Sequence, residues 1–246
     1  LWSMEGQELG VLQGHDASVW GVAIRPDGQA IASAGADNRV ILWQTQSAFQ
    51  RAIHGVNDLT LRLLFIQQGR AIATAGNRKT IHFWNLDGTP QRVINAHAAS
   101  SGRLALSPDG QTLASVSEDR TLKLWRLDGS LLQTFTDATT ALIAVTWHPD
   151  GQRIAASSAD GSLWMWRRDG QLLHHWQAHQ VPVWDVKFSP DGQRLVSSAN
   201  DSTVRLWRVD GQSIATLRGH KAVVWGVAFS PDSQLLVSSS GDTTVK

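Results

Sequence analysis

One spacing constrains this chain more than its composition does. Trp2, Trp43, Trp84, Trp125, Trp166 and Trp207 are each separated by 41 residues. Pro26, Pro108, Pro149, Pro190 and Pro231 keep the same step, with Gln67 in the vacant place. Asp37, Asp119, Asp160, Asp201 and Asp242 keep it too, with Arg78 as the exception. So do Gly6, Gly88, Gly129, Gly170 and Gly211, with Ser47 as the exception. The 246 residues are thus six units of 41, in phase and without insertion or deletion. A period of this length marks one supersecondary unit repeated and stacked.

The unit reads as four short strands. In the fifth copy the apolar runs are Val183–Phe188, Leu195–Ser198, Val204–Trp207 and Ser213–Leu217. Ser-Pro-Asp-Gly, Ala-Asn-Asp-Ser and Val-Asp-Gly separate them. Asp-Gly between β-prone runs signals a tight turn, and proline in a turn forfeits no ladder hydrogen bond. The runs are too short for helices, and no helix-length amphipathic segment is found. Each unit is therefore a four-stranded antiparallel meander with apolar residues on both faces. Packing such sheets face to face around a ring buries both faces and leaves short edges. The expected fold is all-β, a six-bladed β-propeller forming a single domain over residues 1–246.

The recurring landmarks are a Gly-His pair, a Ser or Thr in the second strand, an Asp in the next turn and a Trp closing the third strand. In this the chain resembles the WD-repeat β-propeller family, and regular bacterial arrays of such repeats in particular. The closing dipeptide departs from the family's Trp-Asp, reading Trp-Arg, Trp-Gln or Trp-Asn. The resemblance implies a hydrogen-bonded network at four positions per unit. These are His15, Ser33, Asp37 and Trp43; His97, Ser115, Asp119 and Trp125; and His179, Ser197, Asp201 and Trp207. The sixth unit has His220, Ser238 and Asp242. In the second unit Val56 and Arg78 replace His and Asp, leaving Thr74 and Trp84. In the fourth, Ala138 and Ala156 replace His and Ser, leaving Asp160 and Trp166.

Ser, His and Asp together also suggest a hydrolytic triad. A triad needs a cleft and an oxyanion hole and ordinarily occurs once, whereas this set recurs at equivalent positions. It is read as scaffold, and no enzymatic activity is expected. His174, His175 and His179 lie within six residues, but adjacent strand residues point to opposite faces and His179 belongs to the network. No metal and no cofactor are expected, and no phosphate-binding glycine loop of the Walker or dinucleotide type is present.

Function in such a fold sits on loops and rims. The resemblance implies a contact surface on the top face, reached by three positions per unit. At the start of the first strand these are Trp20, Leu61, Gly102, Ile143, Trp184 and Trp225. Two residues earlier they are Ser18, Leu59, Ser100, Ala141, Pro182 and Val223. Before the turn Asp they are Ala36, Asn77, Glu118, Ala159, Asn200 and Gly241. If the ring closes, Trp184, Trp225 and Trp20 form an aromatic crescent beside the small Gly241 and Ala36. Exposed aromatic patches mark interaction sites. The expected binding residues are Trp20, Trp184, Trp225, Leu61, Ile143, Glu118 and Asn200, and the expected ligand is a peptide or protein loop.

Between Arg51 and Arg103 seven basic residues face only Asp58 and Asp87. They are scattered and lack interleaved aromatics, so a solvated surface is expected and nucleic acid is not the expected partner. The net charge of +1 argues for neither nucleic acid nor membrane. There are no cysteines, which fits a reducing, cytoplasmic setting, and no apolar run long enough to span a bilayer. The chain begins at Leu1, inside a third strand, and stops at Lys246, where the next Leu-Trp would fall. It is read as excised from a longer protein, the six units making either a whole ring or an arc of a longer array. Residues Glu8–Leu12 are expected to supply the outer strand of the last blade and close the ring. The leading functional expectation is a protein-interaction scaffold. A regulatory or structural cap on an attached signalling or NTPase domain is the alternative.

Overall fold

Four-residue turns set the strands of each unit at a fixed spacing. In the Ser189–Gly192 turn, the Gly192 N–H donates to Ser189 O at 2.9 Å. Asp191 accepts the Gln193 N–H at 2.9 Å, and Gly192 takes a φ of +70, open to glycine at no steric cost. The chain then returns antiparallel to itself. A computed structural model describes residues 1, 7–45, 50–53, 60–76 and 78–246, with residues 50–53, 60 and 61 by their backbone alone.

The first four-stranded sheet is β1 (Val19–Ile24), β2 (Ala30–Gly35), β3 (Val40–Gln44) and β4 (Gln50–Ile53). The second is β5 (Thr60–Ile66), β6 (Ala71–Gly76), β7 (Thr80–Asn85) and β8 (Pro90–Asn95). The third is β9 (Ser101–Leu106), β10 (Thr112–Ser117), β11 (Leu122–Arg126) and β12 (Leu131–Phe135). The fourth is β13 (Leu142–Trp147), β14 (Arg153–Ser158), β15 (Ser162–Arg167) and β16 (Leu172–Gln177). The fifth is β17 (Val183–Phe188), β18 (Arg194–Ala199), β19 (Val204–Arg208) and β20 (Ser213–Leu217). All strands pair with their sequence neighbours in antiparallel meanders. The four runs expected in the fifth unit fall on β17 to β20.

Inner strands pack in the order β1, β5, β9, β13, β17 and β21 (Val224–Phe229). A separate apolar core fills each junction. Between the third and fourth sheets it holds Leu122, Leu124, Phe135, Trp147, Trp164 and Trp166. Between the fourth and fifth it holds Leu163, Met165, Val186, Phe188 and Trp207. This is the sheet-on-sheet burial that the two-faced apolar pattern demanded.

Two expectations are corrected. Five blades are complete, not six. The sixth unit contributes β21 and β22 (Leu236–Ser240), with Val245 joined to Ser239 by a single bridge. The ring is also not closed by residues 8–12. Leu9 N–H donates to Leu1 O at 2.9 Å, and no pairing of this segment with β21 or β22 occurs among the described residues. The exposed seam shows the consequence. Val22 of β1 is 64% exposed, whereas its equivalents Leu63, Leu104, Val145, Val186 and Val227 are all buried. Ile24 is 64% exposed as well. A sheet of two strands and one bridge does not build the broad apolar face that covers these positions at every other junction.

Candidate functional site

The network positions come together as the landmarks implied. His15 Nε2 lies 2.8 Å from Ser33 Oγ and its Nδ1 2.9 Å from Asp37, while the Trp43 indole donates to Ser33 Oγ at 2.8 Å. In the third unit, His97 lies 2.8 Å from Ser115 and 3.1 Å from Asp119, and Trp125 donates to Ser115 at 2.9 Å. In the fifth, His179 lies 2.8 Å from Ser197 and 3.0 Å from Asp201, and Trp207 donates to Ser197 at 3.0 Å. The sixth repeats His220 to Ser238 at 2.8 Å and to Asp242 at 3.0 Å. Among the described residues the second keeps the Trp84 indole donating to Thr74 at 3.0 Å. Trp2, Gly6, Ser47 and Val56 lie outside the described residues.

One assignment of protons satisfies every group in a complete set. The indole N–H donates to the serine oxygen, the serine O–H donates to imidazole Nε2, and Nδ1–H donates to the aspartate. The His97 imidazole is neutral at neutral pH. Burial pushes the His97 pKa down to about 4 and outweighs the charge of Asp119. Burial lowers His179 in the same direction. Burial alone would raise Asp119, but hydrogen bonds from Thr121 and the Ala98 N–H, with His97 beside it, hold it at about 2. The serine oxygen therefore has a lone pair occupied by an indole, inside a packed wall.

The fourth unit solves the same problem with a residue the sequence reading missed. With Ala138 and Ala156 in place of His and Ser, the Trp166 indole donates to Asp137 Oδ2 at 2.8 Å. Asp137 occupies the glycine or alanine place of the Gly-His pair. An acidic residue there, in the unit that lost both other partners, was the available signal. Asp160 remains at its turn and accepts the Ser158 hydroxyl at 2.6 Å and the Ser162 N–H at 3.0 Å.

The clustered histidines separate as the strand alternation requires. His174 pairs with Met165 and His175 with Trp164 across β15 and β16. The His175 ring stacks on Trp164 at 3.8 Å, and His179 stays in its network.

On the top face, Trp184 and Trp225 meet. Their ring centroids are 5.2 Å apart at 53°, a tilted aromatic pair. The Trp184 indole points at Asn200 Oδ1, 3.5 Å away, and Trp225 is 46% exposed above Gly241. Each is the second residue of its inner strand, β17 or β21, and is the residue left out of the ladder by the register shift there. Trp20 is 48% exposed but lies across the seam, and no ring contact joins it to the other two among the described residues. The three-membered crescent is thus corrected to a pair plus a separate tryptophan. Glu118 and Asn200 are exposed and Ile143 is half-buried, on the same rim. The side chain of Leu61, and residues Leu59 and Asn77, lie outside the described residues.

Two members of the basic stretch do not form a solvated surface. Arg62 and Arg103 turn into the central channel, where Arg103 pairs with Asp185 and donates to Trp225 O at 3.1 Å. Arg62 donates to Trp20 O at 2.5 Å.

Among the described residues no helix is long and apolar enough to cross a membrane. Among curated proteins, subunit I of eukaryotic translation initiation factor 3 from Aspergillus niger is 39% identical over 46 residues, 19% of this chain and 14% of that protein. The same subunit from Phaeosphaeria nodorum is 38% identical over 45 residues, 18% of this chain and 14% of that protein. These matches cover about one repeat, a small part of either relative. A family model described as the IFT122 first beta-propeller matches residues 49–246, and one described as WD domain, G-beta repeat matches residues 6–44. With the sheet topology and the repeated Trp–Ser–His–Asp network, these matches mean that the chain belongs to the WD-repeat β-propeller family.

Proposed function

We propose that this chain is a protein-interaction scaffold that grips a peptide or protein loop on its top face through Trp184 and Trp225. WD-repeat propellers generally serve as such scaffolds. The observation that carries the finer reading is the tilted, solvent-facing Trp184–Trp225 pair with Asn200 at its edge. Tryptophan supplies a large apolar area at a low entropic cost, and its indole N–H can still bond at the rim. Asn200 and Glu118 add polar contacts that would fix the orientation of a bound loop. Shared positions across the repeats are committed to scaffold, so specificity falls to positions where the repeats differ. Binding without catalysis is part of the proposal, because the Ser–His–Asp sets of the first, third and fifth units are each closed by an indole. A cytoplasmic setting belongs to it too, supported by the absence of cysteine from the sequence.

The test selects binders from a displayed random-peptide library on the whole chain. Their affinity is then measured against a Trp184→Ala/Trp225→Ala variant. The expected loss is about tenfold or more, as for an aromatic hot spot. Unchanged affinity in a folded double variant would overturn the site.

A further inference from the structure

One turn departs from the repeat at three of its four residues. Between the first and second strands, units one, three, four and five read Pro-Asp-Gly-Gln, and unit six reads Pro-Asp-Ser-Gln. Unit two reads Gln67-Gln68-Gly69-Arg70. The carboxylate of the other turns is lost there. A guanidinium stands where they have Gln29, Gln111, Gln152, Gln193 and Gln234. The backbone is rebuilt as well. Asp109 accepts the Gln111 N–H at 2.9 Å, whereas the Arg70 N–H turns to Gln67 O at 3.2 Å. Gln67 and Gln68 take φ of +52 and +56, a left-handed conformation that crowds any residue with a Cβ. In the four Pro-Asp-Gly turns only the glycine does so.

This turn borders two adjoining hollows of about 350 Å³ and about 430 Å³. Gln111 and Leu127 line both, so they make one groove from the second sheet across the third to Arg168 of the fourth. Its two carboxylates are committed to their own turns. Asp109 accepts the Ser107 hydroxyl and the Gln111 N–H, and Arg168 lies 3.4 Å from it. Asp128 accepts the Ser130 N–H at 2.9 Å and its hydroxyl at 2.6 Å, with the charges of Arg126 and Arg92 nearby. Two guanidinium groups are less occupied. Each has five N–H donors. Arg70 donates to Gln68 Oε1 at 3.3 Å and Arg126 to Ser130 Oγ at 3.3 Å. Neither reaches a carboxylate at ion-pair distance among the described residues, and both are exposed. Leu132 on the wall is exposed too, and no aromatic ring is part of the described lining.

From this turn and the groove it borders we propose a second binding surface, for an extended acidic peptide whose carboxylates alternate with aliphatic side chains. Arg70 lines one hollow and Arg126 the other, and guanidinium forks fit carboxylates in paired hydrogen bonds. Gln67, Gln68 and Gln111 offer amides to the peptide main chain, and Leu127 and Leu132 offer apolar contact. A nucleic acid would answer the same charges but would find no ring on which to stack its bases. The Trp184–Trp225 pair stands at the start of the inner strands, whereas this turn follows the end of β5. The two surfaces therefore lie on opposite faces of the ring, and the groove does not depend on what the tryptophans bind.

Fluorescence anisotropy of the whole chain tests this at ~0.15 M salt, where long-range attraction is screened. The probe is a labelled, end-blocked Asp-Leu-Asp-Leu-Asp-Leu peptide, compared with the same peptide carrying asparagine for aspartate. Saturable binding of the acidic peptide is expected, with the amide peptide about tenfold or more weaker. Arg70→Gln restores the residue of the other five units at an exposed site and is expected to cost about as much. Arg126→Gln is expected to weaken binding as well. Arg208→Gln removes the same charge from the fifth sheet, and Trp184→Ala/Trp225→Ala removes the opposite surface. Both are expected to leave the affinity unchanged. No saturable binding, equal affinity for the amide peptide, unchanged affinity in Arg70→Gln or an equal loss in Arg208→Gln would overturn the proposal. So would a loss in the double tryptophan variant, which would put the probe on the other face. Tighter binding of an oligothymidylate of the same charge would assign the groove to nucleic acid and overturn it too.

Discussion

The Trp166 indole donates to Asp137 at 2.8 Å, where the equivalent indoles of four other units donate to a Ser or Thr hydroxyl. Trp166 is among the most buried side chains of the chain, so its N–H has no access to water. Asp137→Ala should leave that donor unpaired and cost about 1–3 kcal/mol in urea unfolding. Asp137→Asn keeps an acceptor and should cost less. Equal, negligible costs in both variants would mean that the contact contributes nothing.

The seam makes equivalent positions unequal. Leu104 is packed between the second and third sheets, whereas Val22 at the same place in the first unit faces solvent. Leu104→Ala should cost about 2–5 kcal/mol, the range for truncating a buried leucine. Val22→Ala should stay within about 0.5 kcal/mol. A comparable loss at Val22 would mean that the sixth unit covers it in solution.

Acid should unfold the chain through the network histidines. The His97 pKa falls from 6.5 unfolded to about 4 folded because of burial. A group lowered in this way gives stability that is complete above the unfolded value and is lost as pH falls toward the folded one. His179 acts in the same direction. Asp119, held at about 2 against an ordinary 3.8, adds a second loss below that value. The urea midpoint should therefore be flat above pH 6.5 and fall between 6.5 and 4, with a shallower fall in His97→Gln. A midpoint that rises on acidification would contradict the neutral, buried imidazole.

Much of this architecture was legible in the sequence because it depends on local chemistry. Turn residues, strand lengths and the Trp–Ser–His–Asp set recur at one phase, so each could be placed without knowing its neighbours. Ring closure was not legible in that way. It depends on whether β22 offers Val22 and Ile24 a full face, which is a through-space matter. Trp20 was grouped with Trp184 and Trp225 on the assumption of that closure, and the open seam separates it. Arg62 and Arg103 were counted as part of a basic surface, because a charge count along the chain does not register which inner strands meet across the ring. Comparing charges at one phase would have placed them with Asp185. Asp137 escaped because its role exists only where His and Ser are missing.

On the function proposed for this chain, shared positions hold the fold and differing positions bind. One peptide selected on the wild-type chain, titrated against two variants with thermal unfolding measured alongside, tests it most directly. Trp184→Ala/Trp225→Ala should lose about tenfold or more in affinity while keeping its unfolding temperature. Ser197→Ala, which strands the Trp207 indole and the His179 imidazole, should lose about 1–3 kcal/mol of stability and keep its affinity while folded. The reverse pattern, with affinity lost at Ser197 and retained without the two tryptophans, would contradict the account.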